Sequence, residues 1–160
     1  MSEIRIKRAE REDVETLHGA LMQLSKDLGD THAASPEDLL RHGFAGTPAF
    51  FALLAMRQTE TMGVLLASPV FSTTRGGAGL YVSDLWVAKS ARGEGLGKQL
   101  LAATLEHAPE SWTITFLKLA VYHDNPNAGR FYARLGFTPR EGEAVFDLQD
   151  PALTNLRGLS

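Results

Sequence analysis

Apolar positions along this chain change period several times, and each change marks an element. Ile4 and Ile6 alternate with charged residues, which predicts a first strand ending near Ala9. Val14, Leu17, His18, Leu21, Leu24 and Leu28 then recur at helical spacing and predict a helix through about Asp27. Ser35-Pro36-Glu37-Asp38 supplies an N-cap, a proline at the first helical position and an acidic first turn, so a second helix starts there and ends near Gly43. Phe50 to Met56 and Thr61 to Phe71 are apolar runs of strand length, and the polar Arg57–Glu60 between them makes a hairpin. Arg75-Gly76-Gly77 turns the chain into Leu80–Val87, the third strand of the meander.

The second half alternates helix and strand. Leu96, Leu100, Leu101 and Leu105 give a helix its buried face, Phe116–Tyr122 reads as a strand, and Asn127–Leu135 as a short helix. Phe137–Arg140 and Ala144–Leu148 close the pattern as a pair of strands, and residues after Asp150 read as a tail. The predicted order is β-α-α-β-β-β-α-β-α-β-β, a mixed α/β fold.

Composition narrows the class without choosing a function. At 160 residues the chain is most simply one domain, 1–160, with its core over about 3–148 and a C-terminal tail over 151–160. Hydrophobic content of 44% with 22% charged residues is ordinary for a globular protein. No apolar run approaches a membrane span and the first residues lack a signal-peptide core, so no membrane partner is expected. Zero cysteines exclude a disulfide framework, a thiolate zinc site and a cysteine nucleophile, and make a cytoplasmic location the default. A net charge of −3 argues against nucleic acid and suits a cationic substrate. The five histidines (His18, His32, His42, His107, His123) show no metal-ligand spacing, so no metal is expected. His18 and His42 are expected at helix surfaces or partly buried.

The chemistry concentrates in Leu80–Lys98, LYVSDLWVAKSARGEGLGK. A strand feeds a loop with glycines at 93, 95 and 97, flanked by Arg92 and Lys98, and a helix follows. Glycines let the backbone turn and present its N–H groups, and the helix adds its positive end, which makes an anion site suited to a pyrophosphate. It is not a P-loop: Gly97-Lys98 is followed by Gln99, and Gly93 is only four positions before Gly97. Nor does G-x-G-x-G past mid-chain fit the dinucleotide fingerprint.

Arg92-Gly93-Glu94-Gly95-Leu96-Gly97 resembles the acyl-CoA loop of the GNAT superfamily of N-acetyltransferases, Gln/Arg-x-x-Gly-x-Gly/Ala. A second segment, Asn125-Pro126-Asn127-Ala128-Gly129-Arg130-Phe131-Tyr132-Ala133-Arg134-Leu135-Gly136-Phe137, resembles the superfamily's late N-x-x-A-x-x-F-Y-x-x-L-G-F, and the order of elements matches over roughly residues 3 to 148. The resemblance implies a central, mostly antiparallel twisted sheet of about six to seven strands flanked by about four helices. That sheet would splay between the strand ending at Val87 and the strand Phe116–Tyr122. It also implies acetyl-CoA as cosubstrate, an amine as acceptor, and direct attack of the amine on the thioester. By the same resemblance, Gly93, Glu94, Gly95, Leu96, Gly97 and Lys98 hold the pyrophosphate with Arg92. Leu85, Trp86 and Val87 bind the pantetheine arm through their backbone, with the Val87 N–H on the thioester carbonyl. Asn125, Asn127 and Ala128 approach the same ligand, and Tyr132 protonates the departing thiolate.

The acceptor side is less settled. FSTTRGGAGLYVSDLWV resembles the branch that acetylates polyamines and similar small primary amines, except that Ser83-Asp84 stands where that branch has Glu-Asp. Ser83 cannot accept a proton from an ammonium. Asp84 is a candidate base, although strand alternation places it on the face of Val82 and Trp86, opposite Ser83; a water chain or His123 are others. Family members shape the acceptor pocket with the first two helices and the hairpin after the second strand, so Asp27, Asp30 and Glu37 are candidates to meet a cation. A protein or peptide amine as acceptor, or a CoA-binding module with weak turnover, are the alternative readings, and a homodimer is an option by analogy alone.

Overall fold

The computed structural model of the chain describes residues 3–158. They fall into two compact units, Met1–Ala120 and Val121–Ser160.

The first unit is a five-stranded sheet in the order β1-β2-β3-β4-β5. The strands are β1 Arg5–Arg8, β2 Phe51–Arg57, β3 Glu60–Ser72, β4 Gly77–Val87 and β5 Ile114–Leu119. The first four pair antiparallel in a meander, while β5 lies parallel to β4 after a helical crossover. Helices α1 Val14–Leu28 and α2 Pro36–Gly43 precede β2, and α3 Leu96–Glu106 makes the crossover. Alternation along the strands divides the core between two faces. Leu17, Leu21 and Leu39 of α1 and α2 pack with Ala52, Leu54, Val64 and Leu66 of the sheet. Leu53 and Leu65 turn the other way, towards the side of α3, and are fully buried, as is Leu100 of that helix. Each such leucine contributes about 1.5–3 kcal/mol on burial.

Local signals account for the element ends. Ser35 and Asp38 exchange hydrogen bonds in a capping box with Pro36 at the first helical position. Gly63 faces α3: a Cβ there would lie 3.0 Å from the Trp86 carbonyl oxygen and 3.1 Å from Leu100. The missing side chain lets helix and sheet approach.

Two strands depart from the sequence expectation. β4 begins at Gly77, not Leu80, because Gly77 and Gly79 leave room for the Thr115 and Phe116 side chains of β5; added Cβ atoms would come within 2.6 and 2.5 Å of them. β5 covers Ile114–Leu119 where Phe116–Tyr122 was expected, and the apolar residues that follow lie outside the sheet.

The second unit carries α4 Pro126–Arg134 and α5 Ala152–Arg157. Ala128, Phe131, Tyr132 and Leu135 share the half-buried face of α4, as their spacing predicts. Phe137–Arg140 and Ala144–Leu148 form no strands, so five strands are found among the described residues where six or seven were expected. Val145 and Phe146 are each 92% exposed, and without a buried face their alternation has nothing to pair against. The expected tail contains a turn and a half of helix, α5; residues 159 and 160 lie outside the described residues.

Candidate active site

The sheet opens beside the glycine loop. β4 pairs with β5 from Ala78↔Ile114 to Val82↔Leu119, and Asp84–Val87 continue with β3 alone. This is the expected splay, with its position now fixed. Across it no strand pairs with this end of β4 among the described residues. The Ala88 N–H donates to the Met62 carbonyl at 2.8 Å, so residue 88 points towards β3. In an antiparallel ladder successive residues point to opposite sides. The N–H groups of Val87 and Leu85 therefore face the opening, and Trp86 points back to β3, its carbonyl 3.0 Å from where a Gly63 Cβ would stand.

The loop after β4 is built by a short 3-10 turn, Lys89–Ala91, followed by Gly93 and Gly95 in the left-handed region at φ 83° and 84°. L side chains are strained there, which accounts for glycine at both. Gly95 is the N-cap of α3 and brings no side-chain hydrogen bond to it. The first N–H groups of α3, on Leu96, Gly97 and Lys98, thus have no intrahelical partner and form a donor set for an anion.

Arg92 does more than lend charge to that set. Its Nε donates to the Val87 carbonyl at 3.0 Å and its Nη2 to Oδ2 of Asp27 at 2.9 Å. The same Asp27 oxygen receives the Trp86 indole N–H at 2.9 Å. One carboxylate at the end of α1 therefore ties strand and loop together. Asp27, expected as a site for a substrate cation, is bound within the protein. Nothing in local spacing pairs it with Arg92; only the packing of α1 on the sheet does.

Asp84 lies beside Ser83, not across the strand from it. The register of β3 on β4 steps from Ala67↔Val82 to Leu66↔Asp84, leaving Ser83 as the extra residue of a bulge. The interrupted alternation lets Ser83 Oγ donate to Asp84 Oδ2 at 2.8 Å. Asp84 shares the α1 side with Trp86. Burial pushes its carboxyl above the usual carboxylate range, against the lowering effects of the Ser83 hydrogen bond and the charge of His32.

In the second unit Asn125 is the N-cap of α4, its Oδ1 accepting from the Ala128 N–H at 3.3 Å. Asn127 Oδ1 accepts from Arg130. The Tyr132 ring meets Phe131 and Phe137 edge to face at 5.0 and 5.4 Å, and burial raises its phenol above the ordinary tyrosine value. His123 is exposed. No cluster of three or more metal-capable side chains occurs among the described residues, and none of their helices is long and apolar enough to cross a membrane.

The sequence profile of the acetyltransferase (GNAT) family matches residues 18–137. The chain belongs to the GNAT family. Its enzyme class is N-acetyltransferase, and proteins of this family take the acetyl group from acetyl-CoA. The GNAT chain is 28% identical over 175 aligned positions to the thialysine N-epsilon-acetyltransferase of Mus musculus, covering 99% of each protein. It is 40% identical over 77 residues to the uncharacterized N-acetyltransferase in the pepI 3′ region of Lactobacillus delbrueckii subsp. lactis. That match spans 48% of this chain and 43% of the relative. An integron cassette protein from the mobile metagenome of V. cholerae shares the fold with a TM-score of 0.78 at 25% identity, covering 98% of both chains.

Proposed function

We propose that the protein transfers the acetyl group of acetyl-CoA to a primary amine of a small molecule, of the thialysine or polyamine kind, by direct attack on the thioester. The observation that carries this reading is the end of β4, left without a partner strand on that side among the described residues, beside an uncapped helix N-terminus. The amides of Gly93–Lys98 take the diphosphate. The pantetheine arm adds to Leu85–Val87 as another strand would, and the Val87 N–H donates to the thioester carbonyl oxygen as it gains charge. Single donors of this kind are worth about 2.7–4 kcal/mol in other enzymes. Arg92 and Asp27 fix that strand end, and Asn125, Asn127 and Ala128 supply further contacts to the cosubstrate.

The acceptor arrives as an ammonium, since primary amines of this type have pKa values near 10.4. Asp84 is the proposed base. Its raised carboxyl is a better match to that proton than an ordinary carboxylate. The freed nitrogen attacks the carbonyl carbon and the carbon–sulfur bond breaks; Tyr132 protonates the thiolate and recovers a proton from the second N–H of the attacking nitrogen, which becomes the amide. With zero cysteines in the chain, no acetyl-cysteine intermediate forms on it. Full-length similarity to a thialysine enzyme favours a small amine over a protein amine.

Release of free thiol from acetyl-CoA, followed with thialysine, spermine, amino-sugar antibiotics and peptides, tests the reading. Release with thialysine or spermine is expected. Release with peptides alone would assign a protein amine, and none with any amine would leave a CoA-binding module.

A further inference from the structure

Ser83 is the residue that the bulge of β4 sets apart, and the proposed reaction gives it no part. The pairing of β3 with β4 steps from Ala67↔Val82 to Leu66↔Asp84 and passes over it. Neighbouring side chains of a regular strand point to opposite faces; the bulge brings these two together. Ser83 Oγ donates to Asp84 Oδ2 at 2.8 Å, and a second acceptor, the Leu66 carbonyl oxygen, lies 3.4 Å from the same Oγ. A hydroxyl carries one hydrogen, so it serves one of these acceptors at a time. Asp84 Oδ1 has no hydrogen-bond partner among the described residues. Ser83 is exposed, while Asp84 is half-buried.

We propose that Ser83 is a positioning residue for Asp84: its hydroxyl holds Oδ2 of the ionised carboxylate, leaves Oδ1 as the basic oxygen, and turns to the Leu66 carbonyl once the carboxyl is neutral. The two acceptors differ in charge. A hydrogen bond to an ionised acceptor is roughly twice as strong as one between neutral groups, so the carboxylate takes the hydroxyl first. When an N–H bond of the acceptor ammonium breaks and an O–H bond forms on Oδ1, that advantage is lost, and the Leu66 carbonyl keeps the hydroxyl from being stranded. The proton passes from Asp84 to water after the products leave. Ser83 thus favours the ionised form of a carboxyl that burial pushes towards the neutral one. The other charge that acts on Asp84 is that of His32, in the loop between α1 and α2, whose ring meets His18 of α1. Farther along β4, beyond Trp86, Asp27 of α1 and Arg92 are paired with each other.

This inference rests on the assignment of Asp84 as base, so thiol release with thialysine or spermine is measured first in wild type and Asp84→Asn. No release by wild type refutes the proposed function, and full release by Asp84→Asn refutes the base; either result removes the inference with it. With both established, the pH profile of kcat/KM for the amine is compared in wild type, Ser83→Ala and Ser83→Thr. Ser83 is exposed, so the alanine leaves no cavity. Ser83→Ala is expected to move the acidic limb up by about one pH unit, because the carboxylate has lost the bond that favours it, and to leave the KM for acetyl-CoA unchanged. Ser83→Thr keeps a hydroxyl and should return the limb to its wild-type position. A role in packing alone would lower the whole profile without moving the limb. The titration midpoint of the Asp84 carboxyl carbon, followed by nuclear magnetic resonance without substrate, takes the same reading independently of turnover. A limb or midpoint that stays in place in Ser83→Ala, or that is displaced equally in Ser83→Thr, overturns the proposal and leaves Asp84 as the base.

Discussion

Arg92 Nη2 reaches Oδ2 of Asp27 at 2.9 Å, on the oxygen that also receives the Trp86 indole N–H. The two residues belong to different elements, and their contact fixes the end of β4 at the point where the thioester carbonyl is proposed to sit. Half the surface of each side chain is open to water, 52% for Arg92 and 42% for Asp27, so the ion pair itself contributes little stability, about 0–1 kcal/mol. Its effect is on position.

Replacing Asp27 with Ala is therefore expected to lower Tm by only a few degrees while weakening acetyl-CoA binding about tenfold, the equivalent of one modest contact. Thermal melts and calorimetry with acetyl-CoA read the two quantities separately. A large fall in Tm with unchanged affinity would assign Asp27 to stability alone.

Gly95→Ala isolates the loop backbone. A Cβ at residue 95 meets nothing within 4 Å, so the substitution brings no clash; it imposes only the cost of a left-handed φ of 84°, about 1–2 kcal/mol. The loop should relax away from that conformation, and affinity for coenzyme A should fall by roughly tenfold with little change in the far-ultraviolet spectrum. Gly79→Ala makes the contrast: its Cβ would lie 2.5 Å from the Phe116 ring, so it is expected to lower Tm by loosening β5.

Tyr132→Phe should lower kcat by about 10²- to 10⁴-fold and leave acetyl-CoA affinity nearly unchanged. Burial raises the phenol, so the protonated form it needs as an acid persists to a higher pH than for a free tyrosine. No alkaline loss of kcat from this group is expected below about pH 10. Equal rates in the two proteins would remove Tyr132 from the mechanism.

Asp84→Asn should separate activity from stability. Burial holds the folded-state carboxyl above its unfolded value, so the contribution of Asp84 is favourable at low pH and is lost as pH rises through that raised value. At neutral pH the folded protein therefore carries a buried carboxylate at a cost. The asparagine variant is expected to lose kcat by about 10²-fold or more and to melt at or above the wild-type temperature at pH 7. A variant that melts lower at neutral pH than at pH 4, relative to wild type, contradicts this assignment.

The meander and its helices were legible because their signals are local. Ile4 and Ile6 alternate, Ser35 and Asp38 cap, and Leu96, Leu100 and Leu101 recur at helical spacing, so β1, α2 and α3 needed no knowledge of the rest. The glycine loop was legible for the same reason. The bulge at Ser83 was not, because a bulge is a mismatch between two strands and β4 alone contains no trace of it. Likewise Asp27 is distant in sequence from Trp86 and Arg92, and only the packing of α1 on the sheet brings them together. Ala144–Leu148 failed in the opposite sense: the alternation is present, but no partner strand meets it among the described residues.

Backbone amide resonances followed during titration with acetyl-CoA test the central claim most directly. The account predicts that shifts concentrate at Leu85 and Val87 on the open edge of β4 and at Gly93–Lys98 at the start of α3. Saturable acetyl-CoA binding that leaves both sets of amides unmoved would contradict it.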